Sequence, residues 1–291
     1  MFNDKLSKCG EILFYNSSMM LIIIILIFIS LYLFLIYPGR SRKKQMLPYE
    51  KCYIAHRGLF NNFDVPENSL LAFRKAVADG YGIELDVQLT VDDKLVVFHD
   101  ASLYRMTGVD KILTECSYEE LKEYRLLHTD EMIPLFEDVL KVLKPETPLI
   151  IEIKPEGRNI ETVRRTVEMM RDYKGLYNME SFDPRIVRYL KDNEPQIIRG
   201  QLSYDSVSDK KAHHPFSIRF ICTNLLTNFY NRPDYIAYDC NSYRNLSFQI
   251  VSRLFHTECV AWTVKSDKQF EQIRKYYDCF IFDSYIPKKE L

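Results

Sequence analysis

The chain has 291 residues, 47% hydrophobic and 27% charged, with 39 basic side chains against 40 acidic ones. A formal net charge of −1 argues against broad nucleic-acid binding, which needs a basic surface, and against an acidic disordered chain. The seven cysteines are odd in number and contain no CxxC pair, so a disulfide scaffold or zinc ribbon is excluded and reduced, buried thiols are expected.

The first element in chain order is an uncharged apolar run at residues 19–37, MMLIIIILIFISLYLFLIY. A helix of that length spans about 28 Å, close to the hydrocarbon core of a bilayer. A signal peptide would have a shorter apolar region and a small-residue cleavage site. Here Pro38-Gly39 is followed by Arg40, Arg42, Lys43 and Lys44. The reading is therefore an N-terminal tail (1–18), one transmembrane helix (19–37), a basic linker (38–50) and a single domain (51–291). The lipid bilayer is the expected partner of residues 19–37. Four basic residues after the span against Lys5 and Lys8 before it place the domain on the cytoplasmic side.

From residue 51 onward, short apolar strands alternate with amphipathic helices, the pattern of a parallel sheet. Strands are expected at 52–55, 81–87, 149–153, 177–181, 197–201, 235–239, 259–264 and 279–283. Eight is the number that closes a TIM (β/α)8 barrel, and the domain has the right size. A ninth strand, 95–98, follows too closely for a crossover helix, so 87–98 reads as a hairpin turning at Asp92-Asp93, with His99 opposite Asp86. Helices are expected at 68–79, 118–124, 135–143, 160–171, 184–192, 243–255 and 268–276. Gly80 and Gly175 suit left-handed helix ends. Residues 213–231 carry no clear pattern.

The informative residues are polar ones inside apolar strands. In Ile83-Glu84-Leu85-Asp86-Val87 the apolar side chains share one face, so Glu84 and Asp86 point together toward the barrel axis. Ile151-Glu152-Ile153-Lys154 repeats the alternation. Carboxylates so close raise one pKa or require a cation between them. Without His or Cys ligands, Glu84, Asp86 and Glu152 form a hard-oxygen set suited to one divalent cation, Mg2+ or Ca2+. His56 and His99 each end an apolar strand and supply general acid and base, while Arg57 and Lys154 clamp an anion. Together these groups describe cleavage of a phosphate ester. His128, the His213-His214 pair and His256 fit surface loops or a helix end.

Beyond these, the blocks His56-Arg57-Gly58, Pro66-Glu67-Asn68-Ser69, Glu84-Leu85-Asp86-Val87, His99-Asp100, Arg105, Thr107-Gly108, Glu152-Ile153-Lys154, Ser181-Phe182-Asp183 and Trp262-Thr263-Val264 follow in one order. They resemble the glycerophosphodiester phosphodiesterase family over about residues 52–287. The resemblance implies a TIM barrel hydrolysing glycerophosphodiesters to sn-glycerol 3-phosphate and an alcohol. It implies His56 and His99 as acid and base, Glu84, Asp86 and Glu152 as metal ligands, and Arg57 and Lys154 as phosphate contacts. Glu67 and Asn68 belong to the motif as supports for His56 or Arg57. Lys265 stands where the family commonly has Asn, and Asp278-Cys279 where it has Asp-Gly, so the substrate pocket departs from the pattern. Two alternatives remain open: a lysophospholipase-D-like hydrolase of lysoglycerophospholipids, and a catalytically silent barrel serving as a binding or scaffold domain.

Overall fold

The computed structural model describes residues 2–39, 42–50, 52–212 and 214–288, with the backbone alone for 2–18. Eight parallel strands close on one another: β1 (Ile54–His56), β2 (Gly82–Leu89), β4 (Leu149–Ile153), β5 (Tyr177–Ser181), β6 (Arg199–Ser203), β7 (Tyr235–Asp239), β8 (Glu258–Val264) and β9 (Cys279–Phe282). The short β3 (Leu95–Val97) pairs antiparallel with β2 and lies outside the ring. Closure comes from β1, which pairs with both β2 and β9.

The alternation read from the sequence sorts the side chains into two shells. Ile83, Leu85, Val87, Ile151 and Ile153 face outward into the apolar layer beneath the helices, so their neighbours Glu84, Asp86 and Glu152 face the axis. The inner shell is apolar in its lower part, where Ile54, Ile150, Ile198, Tyr235, Cys279 and Ile281 meet. Residues between β3 and β4 build a satellite core of their own around Phe98, Leu103, Leu113 and Leu121.

Several elements depart from expectation. The hairpin pairs Val87 with Val97, which puts Phe98, not His99, opposite Asp86. The loop has three residues rather than two: Thr90 pairs with Lys94, and Asp93 adopts a left-handed conformation (φ 64°). β6 starts two residues late because a turn holds Ile197, while Asp234 accepts from the Arg199 backbone N–H. Gly80 is left-handed as expected, but Gly175 is not. The unassigned segment 213–231 contains the helices Phe216–Thr223 and Asn228–Asn231, with His213 outside the described residues.

The stretch 43–50, read as linker, is a helix that closes the barrel floor. Its Met46 and Tyr49 are fully buried against Ile54, Ile150 and Tyr235. Arg42 pairs with Asp234 at 3.3 Å and Lys43 with Glu258 at 3.5 Å, so two of the basic residues counted for orientation serve the floor. The six described cysteines are free. Among the described residues one helix is long and apolar enough to cross a membrane: the apolar window Met19–Ile36 lies within the helix Phe2–Ile36.

Candidate active site

The strand ends at the C-terminal rim of the barrel surround a cavity of about 440 Å³ lined by His56, Arg57, Glu84, His99, Glu152 and Asp283, among others. Barrel strands deliver functional side chains to this face because the loops that follow them are free to vary. The acidic residues form a row across three neighbouring strands: Asp86 pairs in register with Glu152, and Glu152 with Glu180. Glu84, Asp86 and Glu152 each offer an oxygen within 4.8 Å of the others, and all three are buried.

Two cations, the buried Lys154 and the partly buried Arg57, meet these three carboxylates. Lys154 Nζ lies 2.8 Å from Glu152 and 3.4 Å from Asp86, and Arg57 Nε lies 3.5 Å from Asp86. That leaves excess negative charge in a buried cluster. Burial, with Asp86 and Glu152 nearby, pushes the Glu84 carboxyl well up. Glu152 is also raised, by burial and then despite the attraction of Lys154. Burial opposes ionisation of Asp86 as well, but Lys154, His99, Arg57 and the Asn68 amide outweigh it and hold this carboxyl well below the usual range. The donor set is all carboxylate oxygen, and Asp86 Oδ1 has no hydrogen-bond donor. Such a set fits a hard divalent cation.

Both histidines are held the same way. His56 Nδ1 lies 3.0 Å from Asp283 Oδ2, and His99 Nδ1 lies 2.6 Å from Asp100 Oδ1. Burial would raise the Asp283 carboxyl, but the His56 hydrogen bond draws it down to about 2, so it is an ionised acceptor. Nδ1 of His56 therefore carries the proton and Nε2 is the ring nitrogen with the lone pair. Burial, then Arg57, lowers the His56 pKa against the pull of Asp283.

Local backbone geometry builds the rest. After His56 the chain reverses through Arg57 (φ 54°) and Gly58 (φ 80°). A Cβ at Gly58 would meet the Ala72 backbone at 2.9 Å, so this turn needs glycine. The reversal turns the Arg57 N–H to Glu84 Oε2 at 3.0 Å and leaves the Arg57 guanidinium 2.6 Å from Glu67. Glu67 also accepts from Arg105 and Asn62. Burial opposes its ionisation, yet these donors bring it to about 2. Of the two residues named as supports, Glu67 pairs with Arg57, while the Asn68 side chain donates to Asp86 at 2.8 Å and its backbone N–H donates to the Arg57 carbonyl. Lys154 is off the cavity wall, engaged with the carboxylates, whereas Arg57 is on it.

Reading for catalytic residues passed over three features. Asp283 and Asp100 orient the histidines, and nothing local in the sequence distinguishes them from helix caps or loop acids. Glu180 continues the acidic row, and the alternation Asn178-Met179-Glu180 would have shown it. The Tyr235 hydroxyl lies 2.8 Å from both Asn178 Oδ1 and Glu180 Oε2. One hydroxyl proton cannot serve two acceptors, and burial pushes Glu180 up to about 8, so a protonated Glu180 completes this contact. Gly200 makes room for the ring: a Cβ there would meet it at 2.2 Å.

The model of the glycerophosphoryl diester phosphodiesterase family matches residues 56–285. The chain belongs to this family. It is 41% identical over 107 residues to a glycerophosphodiester phosphodiesterase of Bacillus altitudinis (34% of this chain, 43% of that protein). It is 32% identical over 159 residues to lysophospholipase D GDPD1 of Rattus norvegicus (50% of this chain, 49% of that protein). The matches thus span less than half the length of these relatives. In fold it is similar to an Oleispira antarctica phosphodiesterase solved with its product sn-glycerol-3-phosphate (TM-score 0.65, 22% identity, 80% of this chain and 93% of that one). Lys265, where the pattern is departed from, lines the same cavity with its Nζ 3.5 Å from Asp283.

Proposed function

We propose that this chain hydrolyses glycerophosphodiesters to sn-glycerol 3-phosphate and an alcohol, using His56 and His99 as the proton-transfer pair. The observation that carries the reading is the convergence, in one cavity of a family barrel, of two Asp-held imidazoles with three buried carboxylates. One Nε2 accepts the proton of the attacking oxygen as the new P–O bond forms. The other imidazole gives its proton to the departing alcohol oxygen as the old P–O bond breaks, and a water is consumed overall. Arg57 on the cavity wall offers a guanidinium to the phosphate, and Lys154 favours the ionised form of Asp86 beneath it. Glu84, Asp86 and Glu152 would hold one divalent cation, Mg2+ or Ca2+, which would offset charge on the phosphate.

The same reading makes Met19–Ile36 a retained membrane span, on its length, its composition and its exposure. The basic residues that follow favour a cytoplasmic barrel. A lysophospholipase-D-like activity is the second reading. It is favoured by the match to lysophospholipase D and by an anchor that brings the barrel to lipid. Release of glycerol 3-phosphate from glycerophosphocholine, with and without EDTA, tests the first reading. His56→Ala and Glu84→Ala should each lower the rate by about 10²–10⁴ at retained fold, and chelation should stop it. Full activity in both variants would remove the site. No activity on any glycerophosphodiester or lysolipid would leave a binding barrel.

A further inference from the structure

The apolar helix is not a tether that lets the barrel swing; it is docked along the barrel wall in a definite direction. Its lower end lies at the floor. The Gly39 N–H donates to the Pro233 carbonyl at 2.8 Å, Arg42 caps the carbonyls of Pro195 and Gln196, and the Tyr37 ring packs edge-on to Phe255 at 5.1 Å. These partners lie just before the starting ends of β6, β7 and β8. One turn higher, Ile36 is fully buried and its carbonyl accepts from Asn228 at 2.8 Å. Higher still, the Tyr32 hydroxyl is 2.8 Å from Ser247 Oγ, on a helix that begins just after β7 ends. The helix therefore climbs toward the active-site rim as it is followed back toward its N-terminus. Residues 19–31 run on past that rim, mostly exposed.

This direction decides which face of the barrel meets the bilayer. From Met19 to Leu31 the helix covers about 20 Å, short of the roughly 30 Å apolar core of a membrane. The barrel rim at Tyr32 is thereby drawn up to the lipid surface. The exposed side chains agree. Among the described residues of the barrel, six large apolar side chains are 60% or more exposed: Phe63, Tyr104, Phe216, Leu246, Leu254 and Ile286. Four of them follow the C-terminal ends of strands (β1, β6, β7 and β9). Tyr104 follows β3, next to Arg105, which reaches Glu67 of the site. Only Leu254 lies toward the floor. Scattered exposed apolar residues are ordinary, but five around one rim, beside an apolar helix leaving over that rim, form a membrane-seating surface.

We infer that the mouth of the active site faces the bilayer, with Phe63, Tyr104, Phe216, Leu246 and Ile286 seated in the headgroup layer. The substrate phosphodiester is then delivered from the lipid surface. The inference rests on the membrane-anchored reading above and adds an orientation to it. It assigns the cavity a lipid-borne glycerophosphodiester, whose apolar chain stays at the rim while its phosphate reaches Arg57.

Tryptophan quenching by phosphatidylcholine with brominated acyl chains tests this on the full chain in proteoliposomes. The single native tryptophan, Trp262, is replaced by Phe, and one reporter is added, Phe216→Trp at the rim or Leu254→Trp near the floor. The Phe216→Trp reporter should lose most of its emission, and the Leu254→Trp reporter none. The reverse pattern, or no quenching at either position in a chain that resists alkaline carbonate extraction, would overturn the orientation while leaving the anchor standing. A chain that carbonate strips from the vesicles would remove the anchor and this inference with it. In parallel, Phe63→Glu and Leu246→Glu should lower turnover of a lysolipid in vesicles about tenfold and leave soluble glycerophosphocholine turnover unchanged. Equal effects on both substrates would overturn the rim's role.

Discussion

The two ends of the barrel interior obey the same strand alternation and do opposite things with it. At the floor, inward positions carry Ile54, Ile150, Tyr235 and Cys279, sealed from below by Met46 and Tyr49. Two residues further along β1 and β4 the inward positions carry His56 and Glu152, and the neighbouring β2 adds Glu84, around an open cavity. Folding is driven by the first set, which removes apolar surface from water. The second set costs stability, because burying three carboxylates against two cations leaves unbalanced charge. The barrel separates the two along its axis, so chemistry is exchanged for stability only in the upper layer.

The largest effect is expected at the floor. Tyr49→Ala removes a fully buried ring and should cost about 3–5 kcal/mol, read as a drop in denaturant midpoint at unchanged slope. The rate constant of the folded fraction should not move. A catalytic defect as large as that of a rim variant would mean that the two ends are not independent. Next in size is the converse change at the rim. Asp283→Asn keeps the shape but weakens the hold on His56 Nδ1, so kcat should fall about ten- to a hundredfold with little loss of stability. An unchanged kcat would show that His56 needs no orienting partner.

How much of this was legible beforehand follows the same division. Residues 81–87 and 149–153 announced their strands and their inward acids together, because a period of two with apolar outward faces leaves little choice. The closing of eight such strands followed from their number and spacing. The helix 43–50 was not legible. KKQMLPYE is polar, short and contains Pro48, so nothing local marks it as a barrel plug; its apolar Met46 and Tyr49 acquire meaning only against the ring of strands beneath which they fit. Asp283 and Asp100 were hidden for a related reason. Each acts through a partner, and for Asp283 that partner is 227 positions away in the chain. The hairpin register failed by one residue because a three-residue loop and a two-residue loop read alike in Thr90-Val91-Asp92-Asp93-Lys94, and only the left-handed Asp93 separates them.

The smallest effect expected is the floor's share of a pH slope in stability. Burial, reinforced by Asp278, pushes the Glu258 carboxyl up to about 7, against the pull of Lys43. A carboxyl raised in the folded state binds its proton more tightly there than in the unfolded chain. Its contribution is therefore fully present below the unfolded value near 4.5 and is lost as pH rises through about 7. Glu67 at the rim has the opposite sign. Its donors draw it down to about 2, so its contribution is present above the unfolded value and disappears as pH falls toward 2. Unfolding free energy measured from pH 4.5 to 7.5 should decline in the native chain, and Glu258→Gln should lessen that decline without touching activity, the remainder belonging to Glu84, Glu152 and Glu180. A slope identical in native chain and variant would place the titrating group elsewhere and show that the floor, for all its buried charge near Lys43, is as indifferent to protons as its apolar lining.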